Sequence, residues 1–252
     1  MSEHGTKPVP ITLKMVKDAY YKVRRGGKAV GIDGETWKQF DEKLEDNLYV
    51  IWNRLASGTY HPVAVRETEI PKKDGSKRKL GIPTVRDRIA QSVVKDYMEE
   101  KIDKQFHGNS YGYRPLKGAK QALEQVRKNC LEQDWVIDLD ISKFFDEIDQ
   151  ELLMKAVEHM VEEKWVKMYV KRWLEMKVED KEGKQHDREG KGTPQGGVIS
   201  PLLANIFLHF ALDKWLEISY PQTSFVRYAD DGAPRMLNYQ SDRKAMLCKR
   251  WW

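Results

Sequence analysis

The chain is almost without cysteine: Cys130 and Cys248 are the two in 252 residues. Two thiols cannot build a disulfide framework or a zinc cluster, so a reducing, cytoplasmic setting is expected. No run of about 18 apolar residues occurs, which leaves no candidate membrane span and no expected membrane partner. The opening MSEHGTKPVP lacks the apolar centre of a secretory signal. Internal repeats, low-complexity tracts and HNH-type nuclease patterns are missing as well. The Gly-Gly-Lys at 26–28 does not have the spacing of a phosphate-binding P-loop.

What is present describes a globular protein: 40% hydrophobic and 33% charged residues in a chain long enough to bury a real core. The net charge of +5 is unevenly spread. Residues 1–130 hold 26 Lys/Arg against 17 Asp/Glu, and the remainder holds 18 against 22. A basic first half suits a polyanion, and an acidic second half suits cations.

Periodicity divides the chain into helices and short strands. LKMVKDAYYKVRR (13–25) has helical spacing, and TWKQFDEKLEDNLYVIWNRLASG (36–58) reads as one helix ended by Gly58. VRETEIPKKDGSKRKLGIP (65–83) reads as a hairpin around Asp74-Gly75. Helices follow at 87–103 and 119–130. WVIDLDISKFF (135–145) alternates like a strand, and 161–176 repeats like a helix. The charged run 177–192 reads as a hairpin or loop. Ser200 and Pro201 are placed to open the apolar helix ISPLLANIFLHFALDKWL. TSFVRYADDG (223–232) begins as a strand and delivers Asp230 and Asp231 at a turn. The expected class is α+β, helices packed on a small antiparallel sheet.

Aspartates are common in turns, so Asp230 and Asp231 alone carry little. Asp140 adds weight, because it is an acid in an otherwise apolar strand pattern, with Asp138 on the same face. Two carboxylates about 4 Å apart repel by roughly 4 kcal/mol at an effective dielectric near 20. Gathering a third requires protonation or a divalent cation, and oxygen-only ligands favour Mg²⁺ over zinc.

Six collinear blocks carry a resemblance: GIDG (31–34), IPKKDGSKRKLGIPTVRDRIAQ (70–91), SYGYRP (110–115), DLDISKFFDEID (138–149), GTPQGGVISPLLANIFLHF (192–210) and RYADD (227–231). Together they resemble the bacterial group II intron-encoded reverse transcriptases. The resemblance implies right-hand polymerase fingers and palm, copying RNA into DNA with two Mg²⁺ ions. Asp140, Asp230 and Asp231 would be the catalytic, metal-binding carboxylates, and the main-chain carbonyl of Ile141 would join them. Lys72 and Arg78 would hold the triphosphate. Phe145 would exclude a ribose 2′-hydroxyl, and Gln195 and Gly196 would lie beside the incoming nucleotide. Arg114 would lie near the template, with Tyr111 and Tyr113 either stacking on bases or packing in a core. The implied partners are an RNA template, a DNA primer, dNTPs and the protein's own intron RNA. A retron-type reverse transcriptase, or a non-catalytic RNA-binding remnant, are the alternative readings.

On this basis residues 1–30 form an N-terminal helical extension, 31–130 the fingers-type region and 131–231 the palm-type catalytic region. After Asp231 the sequence GAPRMLNYQSDRKAMLCKRWW shows no alternation and nothing thumb-like. The expectation is an aberrant, frameshifted or truncated tail at 232–252, with Pro234 blocking a return strand.

Overall fold

The computed structural model describes residues 8–71, 75, 77–131, 137–193 and 195–234, the last four by their backbone. The chain divides into two compact units. One comprises Met1–Gln105 and Lys143–Phe207, and the other comprises Phe106–Ser142 and Leu208–Trp252.

The first unit is mainly helical. Helix α1 (Leu13–Arg24) is capped by Thr12 and buries Val16, Ala19 and Tyr20. The run at 36–58 forms two helices rather than one, α2 (Trp37–Glu42) and α3 (Leu44–Ala56). Lys43 breaks them at φ −129° and ψ 45°. The Phe40 carbonyl finds its partner in the Asn47 amide at 2.9 Å. Polar side chains thus take over where the helical ladder stops, which an apolar repeat does not report.

Strands β1 (Val65–Pro71) and β2 (Lys77–Ile82) pair antiparallel from Arg66↔Ile82 to Pro71↔Lys77. The hairpin read from the sequence is therefore present. Helix α4 (Val85–Ile102) starts at Thr84, whose hydroxyl accepts the Asp87 amide. Arg88 donates to the carbonyls of Pro83, Gly27 and Ala29, tying the Gly-rich connection to this helix.

In the second unit, α5 (Ala119–Cys130) is followed by β3 (Leu139–Asp140). The strand expected at 135–145 is shorter than its alternation implies. Trp135 and Val136 lie outside the described residues, and Phe144 and Phe145 belong to a helical turn, α6 (Phe144–Glu147), in the first unit. Lys143 precedes that turn at φ +51° and redirects the chain.

Helices α7 (Gln150–Met160) and α8 (Lys164–Leu174) also belong to the first unit. Tyr169 of α8 donates to the Leu55 carbonyl at 2.7 Å, and Arg172 donates to the carbonyls of Gly58 and Tyr60. The charged run contains a small hairpin, β4 (Val178–Glu179) with β5 (Gln185–His186). β4 joins β1 in parallel, giving the order β2-β1-β4-β5.

Helix α9 (Ser200–Leu208) continues into a π-helical segment, His209–Lys214, and then α10 (Trp215–Ser219). Strand β6 (Phe225–Tyr228) turns into β7 (Asp231–Pro234), and the three-stranded sheet has the order β3-β7-β6. A return strand therefore follows the paired acids, against expectation. Among the described residues β3 pairs with Asp231 and Gly232 only, and Pro234 pairs with β6 alone. A proline is tolerated where one side of a strand has no ladder to supply. Residues 235–252, the rest of the expected aberrant tail, lie outside the described residues.

Candidate active site

One hairpin of the second unit, β6 with β7, carries Asp230 and Asp231. Tyr228 pairs with Asp231, leaving Ala229 and Asp230 as a two-residue turn. Ala229 has φ +59°, while Asp230 has no positive φ, the pattern of a type II′ turn. Glycine is the usual residue at that first position, so the turn is held with an alanine in a disfavoured conformation. The antiparallel pairing of β3 with β7 sets Asp140 directly opposite Asp231. Residues in register this way share a face of the sheet, with Cα atoms roughly 4.5–5.5 Å apart.

Two acids at one register position repel each other, and a cation there relieves the repulsion. Asp140 is exposed rather than embedded, since it ends a two-residue strand, and Asp230 is half-buried. Asp138 precedes the strand and is exposed. Ile141 directly follows β3 and is half-buried. The Asp231 side chain lies outside the described residues. Among the described residues no group of three His, Cys, Asp or Glu side chains forms a metal cage. Asp140 and Asp230 offer oxygen donors only, a chemistry that suits a hard divalent ion.

The SYGYRP loop braces this turn. Arg227 of β6 donates its amide to the Asn109 carbonyl at 2.9 Å, and its carbonyl accepts from Tyr111 at 2.8 Å. Gly112 lies against the turn itself: a Cβ there would stand 2.9 Å from Ala229 Cα and from the Tyr228 carbonyl carbon. Tyr111 packs with Ala122 and Val226, while Tyr113 stays half-exposed. Of the two options for Tyr111, core packing is the one realised. Arg114 donates to the carbonyls of His107 and Ser110, both at 2.8 Å, and sits over the Phe106 ring.

The predicted nucleotide-binding residues lie in the first unit. Arg78 Nε donates to Gln195 Oε1 at 2.7 Å, and the Gln195 carbonyl accepts from Gly81 of β2 at 2.6 Å. Gly196 has φ +106°, and a Cβ there would stand 2.6 Å from the Gly81 carbonyl oxygen. The close approach that requires glycine is thus to β2, joining the 192–197 segment to the basic hairpin. Phe145 is buried edge-on to Phe144, and its carbonyl accepts from Thr193 at 2.7 Å. Arg78, Gln195 and Gly196 are brought together on this face. Lys72 lies outside the described residues.

A cleft of about 240 Å³ opens beside Gln195, lined by the cations Lys79, Arg188 and Lys191 and the acids Glu67, Asp146 and Asp187. Asp146 is an exposed residue that lines this cleft. Desolvation raises its pKa, while the Gln195 hydrogen bond and the nearby Arg188 and Arg78 pull it back. Sequence reading did not single out Asp146, although it stands inside DLDISKFFDEID. It also passed over Asp213, a lone acid in the apolar HFALDKWL stretch, and that isolation was the available signal.

Residues 70–234 match the family described as reverse transcriptase (RNA-dependent DNA polymerase). Protein YkfC of Escherichia coli (strain K12) is 35% identical over 201 residues, covering 78% of this chain and 52% of its own length. The group II intron-encoded protein LtrA of Lactococcus lactis subsp. cremoris is 34% identical over 193 residues, covering 76% and 31%. The chain spans about half or less of these curated relatives. Apo telomerase from Candida tropicalis, truncated from its C-terminal domain, superposes with a TM-score of 0.54 at 14% identity, covering 74% of this chain and 45% of that one. A partial Cas6-RT-Cas1–Cas2 complex gives 0.50 at 17% identity, covering 93% and 39%. At those identities the likeness is one of fold, the α+β fingers-and-palm arrangement. With the family match extending over well more than half of its residues, the chain belongs to the reverse transcriptase (RNA-dependent DNA polymerase) family.

Proposed function

We propose that this chain is the fingers-and-palm portion of an RNA-directed DNA polymerase of group II intron type. It would transfer nucleotides from dNTPs to a DNA primer annealed to an RNA template. The observation that carries this reading is the register of Asp140 opposite Asp231, one residue from the turn that holds Asp230. Two Mg²⁺ ions there would activate the attacking primer oxygen and steady the leaving pyrophosphate. Asp140, Asp230 and Asp231, with the Ile141 carbonyl, would hold the ions and keep the acids' mutual repulsion in check.

Arg78 and Lys72 would grip the triphosphate, since a guanidinium fork and an ammonium both match phosphate oxygens. The Gln195 hydrogen bond presets the Arg78 side chain for that task. Phe145 would set the sugar preference, Gln195 and Gly196 would border the nucleotide, and Arg114 would border the template. The protein's own intron RNA is the proposed further partner and the cytoplasm its proposed place.

Primer extension tests the reading. The chain is given an annealed RNA template, DNA primer, dNTPs and Mg²⁺, with chelated metal as one control and Asp230→Asn as another. Extension that needs the metal and Asp230 supports it. Folded protein that binds primer–template and extends nothing would instead identify an RNA-binding protein without chemistry.

A further inference from the structure

We propose that Asp213 and Arg227 form a clamp that positions the turn carrying Asp230 and Asp231. The inference rests on the reading that those acids hold a divalent ion. Asp213 lies in the π-helical segment His209–Lys214, the kind of irregular turn that recurs at functional positions. Its two carboxylate oxygens accept from Arg227 Nε at 2.8 Å and Nη2 at 2.7 Å. Both side chains are 0% exposed. The third guanidinium nitrogen, Nη1, donates to the carbonyl of Ala229 at 3.0 Å. Arg227 is held through its backbone as well, between Asn109 and Tyr111. A residue fixed at both levels thus reaches two positions along its own chain and grips the turn at its strained residue.

The energetics favour a positioning role over a merely stabilising one. A buried ion pair gains little over well-packed apolar side chains, because desolvation offsets the attraction. Apolar residues could fill this volume, yet they could not donate to the Ala229 carbonyl. Lysine could meet Asp213 but has no planar fork to serve two carboxylate oxygens and a carbonyl at once. Ala229 at φ +59° needs such an external tie, since an L-residue leaves that conformation readily when released. His209 Nδ1 stands 3.9 Å from Asp213, and burial lowers its pKa, which disfavours its charged form; His107, whose pKa burial also lowers, is a second imidazole in the field of Asp213.

The test uses the full chain, with Mn²⁺ as the probe, read by loss of the free-ion paramagnetic signal. Wild type, Asp230→Asn, Arg227→Lys, Ala229→Gly and the Arg227→Lys/Ala229→Gly double variant are compared. Amide hydrogen exchange over 225–234 and over α5 is followed in each. The clamp predicts that Arg227→Lys stays folded, with Mn²⁺ affinity down and exchange at 229–231 up by about tenfold each, and α5 unchanged. Adding Ala229→Gly should return most of both losses, because glycine accepts a positive φ without the tie. A role in core packing alone would gain nothing from that second change.

Unchanged exchange at 229–231 in folded Arg227→Lys, or a loss that Ala229→Gly does not restore, overturns the clamp. If Arg227→Lys does not fold, Asp213→Asn, which keeps the volume and halves the fork, is judged by the same two criteria. Wild type whose Mn²⁺ binding ignores Asp230→Asn would refute the metal reading, while the exchange data would still decide on the clamp.

Discussion

Replacing Gly112 by alanine asks how closely the paired-acid turn is held. The backbone of Gly112 runs against Tyr228 and Ala229, so an added Cβ would be 2.9 Å from two of their carbons and nearer still to the Ala229 nitrogen. An ordinary carbon contact is about 3.5 Å, so the turn must withdraw by roughly 1 Å or the SYGYRP loop must lift away. Overpacking of this kind costs about 1–3 kcal/mol in stability. On the proposed role of the turn acids the catalytic cost is larger, because roughly 1 Å of misplacement at reacting groups lowers rates by about 100-fold. Gly108→Ala serves as the control: it lies in the same loop region, and a Cβ there meets nothing within 4 Å. The assay pairs thermal melting with single-nucleotide primer extension. Gly112→Ala should extend about 100-fold more slowly than wild type, with Gly108→Ala near wild type. Activity within threefold of wild type in a folded Gly112→Ala protein would refute the close packing argued here.

Other outcomes follow from the same geometry. Gly196→Ala combines a φ of +106° with a clash against the Gly81 carbonyl, whereas Gly183→Ala has a φ of +80° and open space. Gly196→Ala should therefore lose about 1–3 kcal/mol more in denaturant melts than Gly183→Ala, and equal losses would count against the contact. Asp87 is buried at the start of α4, and burial pushes its carboxyl up to about 6 despite hydrogen bonds from Tyr60 and Thr84. A raised acid stabilises most below its unfolded pKa and loses that contribution as pH rises through the folded value. Between pH 4 and 7 the loss amounts to at most about 3 kcal/mol, and Asp87→Asn should remove that slope from the stability profile. Phe145→Ala, if the side chain sets sugar preference, should narrow the discrimination against ribonucleotides by at least about tenfold in competition assays, with dNTP use retained.

Much of the scaffold is legible in the sequence because its signals are local. The β1–β2 hairpin follows from the Asp74-Gly75 turn signal in the sequence, and α4 and α5 follow from their apolar repeats. Asp140, Asp230 and Asp231 stand out as acids where the pattern calls for apolar or turn residues. What escapes the sequence is decided by tertiary partners. The break at Lys43 depends on Asn47 reaching the Phe40 carbonyl. The short β3 depends on β7 pairing with only two residues. Pro234 argued against a return strand, yet among the described residues Pro234 pairs with β6 only, and a missing donor is tolerated at such a position. Gly196 is read from the sequence as a neighbour of the nucleotide, and only the fold shows its close approach to β2. The bond from Arg227 to the Ala229 carbonyl leaves no periodic trace at all.

The central claim is that register makes Asp140, and not Asp138, the partner of the turn acids. Comparing Asp140→Asn with Asp138→Asn in metal-dependent primer extension tests it most directly. Asp140→Asn should fall by more than about 100-fold at matched Mg²⁺, while Asp138→Asn stays within a few-fold of wild type. Retained extension in Asp140→Asn, or an equal loss in both variants, would contradict the assignment of the carboxylate pair.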